Sequence, residues 1–78
     1  MLSFEMRKQR PGEAVDELEV YLDDAGLDSL LAQLNFLKEK RTDHVHLMTE
    51  SWGGTHLEDR PQDPENTTIH HVKFVVRG

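Results

Sequence analysis

Three of the five histidines and the only tryptophan lie in one short stretch, DHVHLMTESWGGTHL, at residues 43–57. His44 and His46 are two positions apart, so on a β-strand both imidazoles project to the same side and can reach one metal ion. His71, on a later segment, is the candidate third ligand for such a metal site. The alternative interpretation is that exposed strand histidines bind no metal and simply titrate near neutral pH. We favour this alternative and expect no cofactor.

Nucleophilic and phosphate-binding chemistry have little support in the same stretch. Ser51 and Thr49 lie near His46 in the sequence, but no G-x-S-x-G elbow surrounds them. Gly53 and Gly54 lack the spacing, helix and lysine of a phosphate-binding loop. The chain has no cysteine, which excludes disulfides, thiolate zinc sites and cysteine nucleophiles. We therefore expect that the protein is not an enzyme.

Trp52 has two interpretations. It either fills the edge of a small core, with the glycines making the turn after it, or it is an exposed anchor on a loop, the residue type that most often carries binding energy at interfaces. Acidic side chains surround it in the sequence, against one base, Arg60. An aromatic centre with an acidic rim suits a basic partner. The predicted partner-binding residues are Trp52, Glu50, Glu58, Asp59 and Asp63.

Length and charge limit the class of protein. A chain of 78 residues predicts one domain, residues 1–78, with a small core. Fifteen acids against nine bases give a net charge of −6, which opposes binding to nucleic acid and favours a basic protein partner. Seven acids and no base lie between residues 13 and 28. Because no apolar run is long enough for a signal peptide or a membrane span, we expect a soluble, cytoplasmic protein.

Hydrophobic periodicity predicts two strands and a helix in the first half of the chain. Residues 2–8 and 17–22 alternate, and Pro11-Gly12 between them indicates an antiparallel pair. In the first strand the inward positions are Leu2, Phe4 and Met6, and the outward positions are Ser3, Glu5 and Arg7. Asp23 or Asp24 is the expected cap of a helix. Its predicted buried stripe consists of Leu27, Leu30, Leu31, Leu34 and Leu37.

Two more strands are predicted at residues 44–49 and 68–76, separated by a long loop at residues 50–67. The order β-β-α-β-β predicts an α+β fold, a four-stranded antiparallel sheet with one amphipathic helix on one face. The opposite face is expected to carry Tyr21, His44, His46, Met48, His71 and Val75.

Three segments together resemble a known family. EVYLDDAGLDSLLAQLNFLK, DHVHLMTESWGG and the closing IHHVKFVV are similar to the immunity protein 32 family of bacterial polymorphic toxin systems. The similarity extends over nearly the whole chain. Membership implies a small α+β protein, encoded beside a secreted toxin, that binds and neutralises the toxin in the producing cell or its kin. The resemblance assigns no role to individual residues.

The leading hypothesis is therefore a toxin-neutralising protein without catalysis of its own, whose partner is a cognate, basic toxin. Two alternatives come from other classes of function. One is a histidine metal site with hydrolytic or sensing activity. The other is an interaction domain that forms homo-oligomers through the mixed face of its sheet.

Overall fold

The computed structural model describes residues 1–13 and 17–78. Its elements are the strands β1 (Leu2–Met6) and β2 (Leu18–Leu22), the helix α1 (Asp24–Lys38), and the strands β3 (His44–Met48), β4 (Thr67–Thr68) and β5 (His71–Val75). A turn of 3₁₀ helix, Glu50–Trp52, follows β3. Asp16, one of the acids between residues 13 and 28, lies outside the described residues. The chain has the small α+β fold that the sequence predicted.

The strands form two sheets, so the prediction of one four-stranded sheet was wrong. In the first sheet β1 lies between β2 and β4, and in the second β3 pairs with β5, all antiparallel. The predicted strand at residues 68–76 is divided at Ile69 and His70. The Ile69 amide donates to the Phe4 carbonyl of the first sheet, whereas the His70 carbonyl accepts from the Thr49 amide beside the second. Residues 67–75 thus contribute one strand to each sheet, first β4 and then β5.

This division also separates the residues of the predicted exposed face. Tyr21 lies on β2 in the first sheet, while the other members lie on β3 and β5 in the second. Tyr21 therefore does not share a sheet face with the histidines.

The helix begins at the predicted cap and packs closely on the chain. The Asp23 carboxylate accepts the Gly26 N–H at 2.8 Å, which satisfies a free amide of the first turn. Gly26 is buried, and a Cβ at this position would collide with the backbone carbonyl of Met1. The absence of a side chain therefore lets the helix rest directly on the backbone beside β1. No helix among the described residues has both the length and the apolar character needed to cross a membrane.

The predicted burial of all five helix leucines was wrong. Leu37 is buried and Leu30 packs against the core, but three others are 38 to 48% exposed. These are Leu27, Leu31 and Leu34. The helix contacts the rest of the protein through the line of Gly26, Leu30 and Leu37, which lies about 90° around the axis from the exposed leucines at about 100° per residue. The close approach at Gly26 selects this orientation.

The core lies between the two sheets and the helix. Its buried cluster consists of Leu2, Phe4, Leu47 and Leu57, and Leu30, Ile69, Val72 and Phe74 pack against it. Ser3 and Glu5 were predicted to point outward, and the structure corrects this, since both are fully buried. Residues 62–66 of the long loop cover their side of β1 through hydrogen bonds to Glu5.

Glu5 holds the far end of the long loop against β1. Its carboxylate accepts the N–H groups of Gln62 and Asp63, the side-chain amide of Asn66 and the hydroxyl of Ser3. Burial alone would raise the pKa of Glu5, but these four donors together bring the pKa below its ordinary value. A charged, buried carboxylate thus stabilises the position of the loop.

Candidate functional site

The turn after β3 directs Trp52 out of the protein surface. Thr49 is fully buried at the end of the strand, and its carbonyl accepts the N–H groups of Trp52 and Gly54. Gly53 ends the turn with φ +87°, a conformation that L side chains rarely adopt. Gly54 lies so close to Met48 that a Cβ would collide with the Met48 carbonyl. A side chain is therefore disfavoured at both positions, by the backbone conformation at Gly53 and by a steric clash at Gly54.

Trp52 lies on the surface and not in the core. Its side chain is 59% exposed, and its ring stacks on that of His70, with centroids 5.7 Å apart and planes 3° from parallel. His70 is in turn held by β3, because its Nδ1 lies 2.8 Å from the Thr49 hydroxyl oxygen. The exposed indole therefore rests on a support that the sheet holds in place.

A second contact ties the turn to the later part of the loop. The Ser51 hydroxyl donates to Asp59 at 2.5 Å, and the Ser51 N–H donates to the same carboxylate oxygen at 3.2 Å. The hydroxyl bond is the main cause of a lowered pKa at Asp59, with the Ser51 backbone N–H and the nearby His70 acting in the same direction. The turn that carries Trp52 is therefore fixed on both sides.

The cluster of Ser51, His70 and Asp59 contains the residue types of a hydrolytic triad in a different order of contacts. In a triad the histidine accepts the serine proton, and the acid orients the histidine. Here the Ser51 hydroxyl donates to Asp59, and its oxygen lies 3.4 Å from His70 Nδ1, which is nearer to Thr49. In this arrangement the Ser51 hydroxyl is held by Asp59, and the cluster anchors the turn.

Three of the four predicted rim acids lie together beside the turn. Glu50, Glu58 and Asp59 line a depression of about 340 Å³ together with Gly54, Thr55 and Leu57. Asp63 lies apart from this depression, since its N–H donates to the buried Glu5 and its carboxylate accepts the N–H of Glu65. The acidic surface next to Trp52 therefore consists of three acids rather than four.

The strand histidines share one face of the second sheet. His46 Nδ1 lies 2.7 Å from His71 Nε2, and the rings of His44 and His46 are 5.1 Å apart. Desolvation lowers the pKa of His46, and positive charge on its neighbours His71, His44 and Lys73 lowers it further. Across residues 1–13 and 17–78, no three or more His, Asp or Glu side chains are arranged to hold a metal ion.

The sequence interpretation missed the two residues that support Trp52. His70 and Thr49 are 21 positions apart, and neither belongs to a local motif that would indicate their contact. The only signal in the sequence was the adjacent pair His70-His71, whose side chains alternate across the backbone. That alternation sends His71 to the exposed face and His70 toward the turn.

The fold and the site define a small α+β domain whose surface carries a rigidly held, exposed aromatic residue beside acids. The chain belongs to the immunity protein 32 family, whose model matches residues 17–72. The matched segment includes β2, the helix, β3, the turn at residues 49–54 that we call the Trp52 turn, the whole long loop and β4. No curated protein and no solved structure matches the chain.

Proposed function

We propose that this protein is an immunity protein that binds and neutralises a cognate toxin, with no catalysis of its own, and that the Trp52 turn contacts the toxin. The family supports the general role. The observation that carries the choice of site is Trp52, which is 59% exposed yet fixed by stacking on His70. A preorganised aromatic side chain binds a partner without losing much side-chain entropy, and tryptophan is enriched among the residues that dominate binding energy.

The acids beside Trp52 support a basic surface on the toxin. Glu50, Glu58 and Asp59 line a depression beside the turn that carries Trp52, and the whole chain carries a charge of −6. Charges at the edge of an interface mainly accelerate encounter, while the buried centre determines how slowly the complex dissociates. The toxin is therefore a protein whose contact surface has basic residues around an apolar pocket that accepts the indole.

The test is Trp52→Ala, measured for both toxin binding and folding. We expect binding to the product of the adjacent toxin gene to weaken by about 2 to 4 kcal/mol, or roughly 30- to 1000-fold. Because the indole is exposed, the free energy of unfolding in urea should change by less than about 1 kcal/mol. The matched control is Phe36→Ala, which removes another exposed aromatic side chain, on α1, and should leave toxin affinity unchanged.

Two outcomes would contradict this assignment. If Trp52→Ala folds normally and binds the toxin as tightly as the unchanged chain, the turn is not the contact site. If the association rate is the same at about 0.05 M and 0.5 M salt, the acids do not steer the toxin. We expect this rate to fall severalfold over that range while the dissociation rate changes little.

A further inference from the structure

A second apolar surface lies away from the Trp52 turn, on β2 and α1. We call it the leucine face, and each member is 38 to 52% exposed. Its members are Leu18, Val20, Leu22, Leu27, Leu31 and Leu34. Val20 is paired with Phe4, and Leu22 with Leu2, so the β2 side chains lie on the sheet face that packs against the helix.

The exposed helix leucines lie on the flank of α1 that is turned toward β2. Gln33 lies about 160° around the helix from Leu31, and its side chain reaches His56 at 3.4 Å. The segment after His56 joins the edge of β1 opposite β2, because the Glu58 N–H donates to the Leu2 carbonyl. Gln33 therefore points away from β2, and the exposed leucines on the other flank point toward it.

Among the described residues, no strand pairs with the outer edge of β2. The Arg7 N–H donates to the Glu17 carbonyl, and the Asp23 N–H donates to the Met1 carbonyl, so the odd-numbered positions of this strand are hydrogen-bonded to β1. The backbone groups of the alternate positions Leu18, Val20 and Leu22 therefore point outward. In the part of the chain that the structure describes, β2 ends the strand order of its sheet.

We propose that a second copy of this chain covers the leucine face by pairing β2 with β2 in antiparallel orientation about Val20. The strand sequence Leu-Glu-Val-Tyr-Leu is self-complementary in this register. Val20 meets Val20 of the second copy, and Leu18 meets Leu22. The outward N–H and C=O groups at these three positions are those that the pairing requires, and the two-fold axis makes both halves of the interface equivalent.

The charges near the strand add some repulsion to this register. On the face away from the leucines, Glu19 of one copy lies opposite Tyr21 of the other, whose hydroxyl donates to Glu19 of its own chain at 2.8 Å. At the strand end Glu17 meets Asp23, and Glu17 already has Arg7 of its own chain at 3.4 Å. Acidic side chains of the two copies, such as Glu17 and Asp23, repel each other across the interface. Salt screens this repulsion and should therefore strengthen the dimer. A basic partner on the same face would bind less tightly in salt.

A dimer of standard size would cover a moderate part of the surface. A standard specific interface buries about 800 Å² from each partner. The chain exposes 5764 Å² in total, so this is about one-seventh of its surface. We place this area on the outer edge of β2 and the adjoining flank of the 15-residue helix, where a second copy would cover the apolar side chains and pair with the strand edge.

Sedimentation equilibrium of the purified chain tests the proposal at about 0.05 M and 0.5 M salt and at protein concentrations from about 1 µM to 1 mM. We expect a mass twice the 9.0 kDa of the single chain, with tighter association at the higher salt. Val20→Lys places two like charges on the two-fold axis and should raise the dissociation constant of the dimer by about tenfold or more. Leu31→Lys should act in the same direction from the helix.

The matched control is Val75→Lys, because Val75 is a comparably exposed strand valine on β5. It should leave the dissociation constant unchanged. Amide hydrogen exchange adds a readout of the register itself, since the outward N–H of Val20 is protected only in the dimer. If Val20→Lys fails to fold by circular dichroism, Leu31→Lys and the exchange of Val20 in the unchanged chain still decide the question.

Three outcomes would overturn the proposal. The first is a chain that stays at 9.0 kDa at both salt concentrations. If Val20→Lys then weakens toxin binding, the leucine face belongs to the toxin. The second is a dimer that Val20→Lys and Leu31→Lys leave intact. The third is a dimer that weakens as salt is added, because its interface would then join opposite charges rather than this strand edge.

Discussion

The Trp52 turn and the leucine face both expose apolar side chains, but the protein holds them in different ways. The turn is irregular backbone, and its position depends on side-chain contacts to His70 and Asp59 and on two glycines. The leucine face is regular structure, a strand and a helix whose backbone geometry needs no such contacts. The Trp52 turn presents one aromatic side chain stacked on His70. The leucine face presents several aliphatic side chains beside the outer edge of β2.

In our two proposals the surfaces take different kinds of partner. A single fixed aromatic surrounded by acids suits a pocket on a basic protein, and salt should slow that encounter. A self-complementary strand with an aliphatic patch suits a second copy, and salt should strengthen that contact. The two surfaces therefore respond to ionic strength in opposite directions, and substitutions should affect one without the other.

The largest expected difference in stability is between a buried leucine of α1 and a leucine of the leucine face on the same helix. Leu37→Ala should lower the free energy of unfolding by about 2 to 4 kcal/mol, because Leu37 is buried and its removal leaves a cavity. Leu31→Ala is the same change on the same helix at a 48% exposed position, and should cost less than about 1 kcal/mol. Urea unfolding at low protein concentration measures both. Equal losses would mean that the helix is rotated from the orientation described.

The next largest difference in stability is expected between alanine substitutions at the two glycines of the turn. Gly54→Ala should lower the free energy of unfolding by about 2 to 3 kcal/mol, since its Cβ collides with the Met48 carbonyl. Gly53→Ala faces open space but is strained at φ +87°, and should cost about 1 kcal/mol. Thermal unfolding followed by Trp52 fluorescence reports on stability and on the turn together. Dimerisation should be unchanged in both variants, and its loss would show that the two surfaces are coupled.

Glu5→Gln should loosen the loop that leads to the turn while leaving the leucine face in place. The substituted amide presents a donor to groups that themselves donate, which should cost about 1 to 3 kcal/mol in urea unfolding at neutral pH. The pKa of Glu5 is lowered in the folded protein, so its contribution is present above the ordinary value of 4.5 and is lost as the pH falls through the folded-state value.

The pH dependence provides the control for this substitution. The unchanged chain should lose stability more steeply than Glu5→Gln as the pH falls below about 4.5. If the two curves run parallel, Glu5 does not carry the charge that holds residues 62–66.

The smallest expected effect concerns the histidine face, which would be a third functional surface if it held a metal. A chelator should leave the melting temperature unchanged, because no cysteine is present and the sequence signal is a lone H-x-H. Metal-binding energy contributes directly to folding energy, so a structural metal would reveal itself by a loss of several degrees that zinc restores. Such a result would show that the histidine face is a metal site.

Local pattern was enough to predict most elements of this fold. Alternation located β1, β2 and β3 within one or two residues of their ends, and Asp23, one of the two predicted caps, is the N-cap of α1. These features depend on neighbours in the chain, so a single sequence contains the information. The long loop was also predicted.

The failures share one physical cause, which is contact between distant segments. The exposed leucines of α1 follow from the approach at Gly26 to the backbone of Met1, and the buried Glu5 follows from donors about 60 positions away. The change of sheet at Ile69 likewise depends on Phe4. Periodicity shows which side chains share a face but not which segment will cover that face. The stacking of Trp52 on His70 belongs to the same class.

The segment that changes sheets also determines when the fold can be completed. Met6 pairs with Thr67, 61 positions later, whereas β1 and β2 form a hairpin of much shorter range. Contacts so distant in the chain slow folding, because the ends of a long loop must be brought together before they are stabilised. On the ribosome, at about 5 to 20 residues per second, the second edge of β1 waits roughly 3 to 12 s for its partner to be synthesised. During that interval the β1 edge that later pairs with β4 is open, which is the state in which a strand most readily pairs with another chain.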